Sequence, residues 1–176
     1  MDPIEPVARA SSRRRWLAGS IAALALAIGV ALPAHAQSWT FGTAQPDAGG
    51  AWTAERGTLT AGATDARLQP DANRRVVLLS PSNLPETVRA ADAFVLQLEG
   101  TGLQRVRIQA RRDARGGWIT IADASGAALR ETPDGYAIKR GSGARDGSLE
   151  RLRIEMTFRT TNPRVLRRIA VVPAKG

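Results

Sequence analysis

The sequence predicts an all-β domain behind an export signal, and three observations carry that prediction. First, Ser148–Thr160 places Leu152, Ile154, Met156 and Phe158 at every second position, with Arg151, Arg153, Glu155 and Thr157 between them. A period of two lays the apolar four on one face of a strand and the polar four on the other. A helix would instead turn Ile154 and Phe158 well away from Leu149 and Met156. Second, about nine or ten short apolar-patterned runs follow one another at roughly 8–12-residue spacing, with almost no helical segment, as in a sandwich or barrel. Third, an apolar run near the N-terminus has the length and flanks of a leader rather than of a core element.

That leader spans 1–36. Met1–Ser12 is polar, Arg13, Arg14 and Arg15 are basic, and Trp16–Pro33 is rich in Ala, Leu, Ile and Gly. Ala34-His35-Ala36 supplies small residues where a signal peptidase reads, so cleavage is expected after Ala36. The run is short for a spanning helix and ends at a proline, which leaves no transmembrane segment in the remaining 37–176. Ser12-Arg13-Arg14-Arg15-Trp16-Leu17 also resembles the twin-arginine export motif S-R-R-x-F-L, with Trp at the Phe position; an ordinary Sec signal fits as well. Either route predicts a periplasmic or secreted domain.

The 176 residues carry a net charge of +9, almost wholly from arginine, because Lys139 and Lys175 are the only lysines. After the leader, 21 basic and 14 acidic residues remain, a charge of +7. Such a balance favours anionic partners, and equally describes a solvated basic surface. The chain has no cysteine, and its single histidine, His35, falls in the leader. Ser-His-Asp and Cys-His catalysis, disulfides, and thiolate or imidazole metal sites are therefore excluded from the domain.

Taken in order, Trp39-Thr40-Phe41 reads as a first short strand, and the Pro/Asp/Gly loop 45–50 leads to Trp52, a core candidate. Residues 57–68 read as a hairpin turning near Gly62–Asp65. Val76-Val77-Leu78-Leu79 is a continuous apolar run suited to a strand buried on both faces. Residues 81–91 read as a loop with one helical turn. In 93–99, Phe94, Leu96 and Leu98 share a side. In 103–111, Val106, Ile108 and Ala110 point inward, with Arg105, Arg107, Gln109 and Arg111 outward. In 117–122, Ile119 and Ile121 are expected on one face and Trp118 and Thr120 on the other. Residues 135–140 offer Tyr136 and Ile138, and 140–147 reads as a Gly/Ser/Arg loop. Tight turns are expected at 99–102, 113–117 and 161–163. The last strand is 165–172, apolar on both sides from Ile169 onward.

The order of motifs resembles the galactose-binding-like β-sandwich domains of bacterial carbohydrate-binding modules. A W-x-F start (Trp39, Phe41) is followed by G-x-W (Gly50, Trp52), a G-x-L hairpin (Gly57, Leu59), S-P-x-x-L (Ser80, Pro81, Leu84) and a closing L-R-x-I-x-V (Leu166, Arg167, Ile169, Val171). The resemblance covers nearly the whole of 37–176. It implies a single antiparallel sandwich of jelly-roll type with Trp39 and Phe41 in its core. It also implies sugar binding by loop aromatics or a sheet face, often beside a structural calcium. Such modules are usually appended to an enzyme, whereas this domain is expected to stand alone.

Five residues are candidates for ligand contact. Trp118 faces out if Ile119 and Ile121 face in, and an exposed indole can stack on a sugar ring; equally, it can cap the sandwich edge. Tyr136 is a second aromatic candidate. Arg107, Arg111 and Arg153 form part of a basic stripe if their strands are neighbours, and the planar guanidinium suits carboxylate, sulfate or phosphate. Glu99 and Glu155 are the cross-strand partners that would make the same stripe a solvated face. The carboxylates Asp47, Glu55, Asp65, Asp71, Asp113, Asp123, Asp134 and Asp146 fall mostly in turns, where Asp is favoured for backbone hydrogen bonding, and nothing in the spacing pairs them as glycosidase chemistry requires. No catalytic residue and no cofactor are assigned; calcium at Asp47 is the one metal option, without a dense D-x-D-x-D loop behind it. The expected partner is a glycan or anionic polysaccharide, or alternatively an envelope protein. Nucleic acid fits poorly, since no recognised binding motif is present.

Overall fold

The computed structural model describes residues 37–41, 52–133, 135–141 and 149–173, all within one compact unit, Leu32–Gly176. Residues 1–36, where a leader and its cleavage site are expected, and Gly50, Asp47, Asp134 and Asp146, lie outside the described residues. Twelve strands form two antiparallel sheets, where the patterning predicts nine or ten. The seven-stranded sheet runs β3 (Thr58–Ala61), β4 (Ala66–Gln69), β12 (Arg164–Pro173), β6 (Ala91–Glu99), β10 (Gly135–Lys139) and β9 (Arg130–Thr132), with β1 (Ser38–Thr40) also paired to β12. The five-stranded sheet runs β2 (Thr53–Arg56), β5 (Arg75–Leu79), β11 (Arg151–Phe158), β7 (Leu103–Arg111) and β8 (Ile119–Ser125). The arrangement is that of a β-sandwich. The added strands, β2 and β9, are short and mostly exposed, so they carry no alternation to read.

Strand β11 lies at the centre of its sheet, as its pattern predicts. Leu152, Ile154, Met156 and Phe158 are fully buried, and every intervening residue is partly exposed. Their neighbours in register are Met156 with Val76 and Val106, and Ile154 with Leu78 and Ile108. Across the core stand Phe94 and Leu96 of β6, Ile138 of β10, and Leu166 and Ile169 of β12, all fully buried. Each such side chain contributes about 1.5–3 kcal/mol by leaving water. At one margin Trp39 and Trp52 meet edge to face at 5.4 Å, and Phe41 lies 6.1 Å from Trp52, tying β1 to the start of β2. Ser80 pins β5 to β11, its hydroxyl accepting the Leu152 N–H at 2.8 Å and donating to the Pro81 carbonyl.

Two bulges depart from strict alternation. In β12 the register shifts between Leu166 and Arg168, so Leu166 and Ile169, an odd distance apart, both face the core while Arg167 is exposed. In β8 the register shifts beside Ile121. Ile121 is buried as expected, Ala122 and Ala124 join it opposite Ile108 and Val106, and Ile119, paired with the buried Ala110, is left 45% exposed at the end of the strand. The helical turn is α1 (Glu86–Arg89). Arg140, read as the start of a loop, is instead buried. Its guanidinium donates to the carbonyls of Val88, Arg89 and Ala91, where the short helix ends and β6 begins.

Candidate functional site

Strands β7 and β11 are neighbours, so the outward arginines do form a continuous face, but acids interleave it. Arg105 grips Asp123 with two bonds, Nε to Oδ1 at 2.8 Å and Nη2 to Oδ2 at 2.5 Å, and Arg107 Nε reaches the same carboxylate at 3.2 Å. Glu155 stands between Arg75 at 3.4 Å and Arg107 at 3.9 Å. Arg153 donates to Glu55 at 2.7 Å and to Gln109 at 2.7 Å, and Arg111 lies 3.6 Å from Glu150. The hydrogen bonds from Arg105, then Arg107, hold the Asp123 carboxyl below the ordinary carboxylate range. Glu155 thus partners the stripe as foreseen, whereas Glu99 bonds Arg167 on the other sheet at 2.6 Å. This face is a self-compensated ladder.

Of the five candidates, Arg107, Arg111 and Arg153 share one sheet face with Trp118 against Arg111, and Tyr136 stands apart on the other sheet. Trp118 sits in the turn before β8, half-buried, with the Arg111 guanidinium 5.2 Å from its ring centroid. That cation–π contact covers the indole and supports the edge-capping alternative. Tyr136 belongs to the other sheet and is 7% exposed, so it is not an open stacking platform. Its position on β10, opposite Leu96, turns the ring into the core and leaves its edge lining a cleft.

That cleft lies at one end of the sandwich and is lined mostly by polar groups. Its volume of about 650 Å³ falls within the 300–1,000 Å³ of ordinary ligand pockets. The β6–β7 turn (Gly100, Thr101, Gly102), the β11–β12 turn (Arg159, Thr160, Asn162), Arg164, Tyr136 and Glu131 surround it. Gly100 and Gly102 adopt φ of 99° and 95°, which L side chains rarely accept. A Cβ on Gly100 would also stand 2.8 Å from Arg164 Cδ, so glycine there lets the arginine lie against the turn.

Arg164 rests its guanidinium 5.6 Å above Phe158 and donates to the carbonyls of Asn162 (3.1 Å) and Pro163 (3.0 Å) and to Thr160 Oγ1 (3.2 Å). None of these partners is charged. The Arg159 backbone is fixed, its N–H donating to Gly102 at 2.8 Å, and its side chain forms no ion pair among the described residues. Burial, then Glu131, push the Tyr136 phenol upward against a smaller opposing pull from Arg164, so the hydroxyl remains a protonated donor at neutral pH. Two arginines without a carboxylate partner, a phenol, and the polar groups of Thr160 and Asn162 suit an anion that also carries hydroxyl groups.

Arg159 and Arg164 were not singled out from the sequence, although a signal existed: no acidic residue follows Glu155, while four arginines do. Among the described residues no group of three or more His, Cys, Asp or Glu is placed to hold a metal ion, and no helix is long and apolar enough to cross a membrane. No protein-family model matches the chain, and comparison with curated proteins finds no match.

Proposed function

We propose that this chain is an exported, non-catalytic binding module, periplasmic or secreted, that holds an acidic glycan in the cleft beside Tyr136. Its sandwich is taken as a galactose-binding-like jelly roll, on the motif order from Trp39 to Val171. Export rests on the basic, apolar and A-x-A segments of 1–36. The observation that carries the reading is the pair Arg159 and Arg164, cations in a concave polar site whose partners are all neutral. Tyr136 and Asn162 supply groups able to meet sugar hydroxyls. The outer-sheet arginines, including Arg107, Arg111 and Arg153, support the fold through their acid partners, and Trp118 caps the β7–β8 turn.

A glycan array probed with the purified protein at about 0.15 M salt, where long-range charge attraction is largely screened, tests the reading. Selective retention on acidic oligosaccharides, lost in Arg159→Glu, is the expected result. A blank array, or equal retention on every polyanion, would transfer the assignment to an envelope structural or protein-binding role.

A further inference from the structure

We infer that Arg74 is a third cation of this site, so that the ligand is a chain of repeated acid groups reaching past the cleft rather than a single acid. The inference rests on the acidic-glycan reading above and extends it beyond the cleft rim. Arg74 is exposed in the turn between β4 and β5, outside the cleft lining. Its N–H donates to the Asp71 carbonyl at 2.8 Å, and the Asp71 N–H donates to the Arg75 carbonyl at 2.9 Å. This is the pattern of a tight turn closed by a left-handed residue, and Arg74 fills that place with a φ of 63°. Glycine or asparagine is the ordinary occupant, because a larger side chain's Cβ crowds the backbone there. Strained residues of this kind cluster at binding and catalytic sites.

Hydrogen bonds bring the side chain to the cleft. The Phe158 N–H donates to the Arg74 carbonyl at 2.9 Å, and the Arg159 N–H donates to the Gly102 carbonyl at 2.8 Å. The turns 71–75, 100–102 and 159–162 therefore stand side by side at one end of the sandwich. Arg74 Nη1 donates to the Arg159 carbonyl at 3.3 Å, which lays its guanidinium along the turn that carries a cleft arginine. Asp71, the acid of its own turn, is committed elsewhere. Its Oδ1 accepts the Asn73 and Arg75 N–H groups, each at 2.9 Å, and its Oδ2 lies 3.8 Å from Arg56. Arg75 has Glu155 at 3.4 Å. Arg74, with Arg159 and Arg164, has no carboxylate partner among the described residues. Such a row does not read which oxyanion it meets, since a guanidinium fork takes carboxylate, sulfate and phosphate alike. It reads charge repeated along a chain: a single acid engages the cleft alone, whereas an oligomer also reaches Arg74.

The test is a calorimetric titration of the full chain at about 0.15 M salt. The probes are oligogalacturonides of one to six residues and heparin-derived oligosaccharides of two to six. In at least one series the affinity should climb about tenfold or more from the shortest probe to the longest. Arg74→Gly should remove most of that climb and leave the shortest probe unaffected. Its Tm should hold or rise by about 2–4 °C, because glycine relieves the left-handed strain. Arg74→Asn, which also tolerates that conformation, should repeat the loss. A length dependence that survives both variants, while Arg159→Ala still abolishes binding, overturns the role of Arg74 and leaves the cleft reading standing. A lowered Tm in Arg74→Gly overturns the argument from strain. Failure of every probe, or binding indifferent to Arg159→Ala, overturns the cleft reading as well.

Discussion

On the outer face of the five-stranded sheet each arginine of β7 has a carboxylate within 4 Å: Arg105 and Arg107 reach Asp123, Arg107 also reaches Glu155, and Arg111 reaches Glu150. At the end of the sandwich Arg159 and Arg164 have none among the described residues, and Arg164 bonds only neutral oxygens. The same residue type therefore plays two parts. In the ladder, each cation is answered across the strand by a side chain of fixed register, and the outcome is local neutrality. In the cleft, two turns that contain no acid bring cations together around a concavity, and the charge is left for something else to answer. A net charge of +9 does not distinguish these cases. The partner of each guanidinium does.

The largest break in the comparison is expected from Phe158→Ala. This ring is fully buried at the end of β11 and also supports the Arg164 guanidinium. Its removal should cost about 3–5 kcal/mol of stability and should weaken ligand binding together with it. Ile154→Ala, beneath the ladder, should cost about 2–5 kcal/mol yet leave affinity unchanged for the folded fraction. Denaturant titrations paired with binding isotherms separate the two, and equal effects on affinity would erase the distinction between the regions.

Next comes Arg159→Ala. A charged hydrogen bond is worth about 1.5–3 kcal/mol, so the affinity should fall by roughly ten- to a hundredfold, with the melting temperature essentially unmoved. Arg107→Ala should show the reverse, a small stability change with affinity intact. Tyr136→Phe should lower affinity by only a few-fold, since one neutral hydrogen bond is lost while the ring stays packed in the core.

The smallest effect should come from Asp123→Asn, a shift in Tm of no more than about 3 °C because the pair is partly exposed. Its pH signature fixes its sign. The folded carboxyl titrates below its ordinary value of 3.8, chiefly through the Arg105 hydrogen bond. Its contribution is therefore fully present above that ordinary value and is lost as pH falls below it, through the lower folded pKa. The substituted protein should lack that component of acid sensitivity, and high salt should diminish the difference.

Much of the fold was legible because alternation is a local code. Strands β7 and β11 hold the two longest alternating runs, and their inward sets are buried where the period of two placed them. The β3–β4 hairpin turns at Gly62–Asp65 because polar and glycine residues interrupt the pattern there. The bulges in β8 and β12 were illegible, since an inserted residue is specified by the partner strand as much as by its own. Ile119 pairs with the buried Ala110, yet its place at the strand end leaves it 45% exposed. The cleft was hidden for a related reason. It unites turns that are more than fifty residues apart, and only the strand order of two sheets brings Gly100, Tyr136 and Arg159 to one end. Tyr136, expected as a stacking aromatic, is 7% exposed because its ring packs into the core.

Amide chemical-shift mapping during titration with an acidic oligosaccharide separates the cleft arginines from the ladder as the groups proposed to meet ligand charge. Shifts confined to Arg74, Gly100–Leu103, Glu131, Tyr136 and Arg159–Arg164 are the predicted result. Shifts running along Arg105–Arg111 and Arg151–Glu155, with the cleft silent, would contradict it.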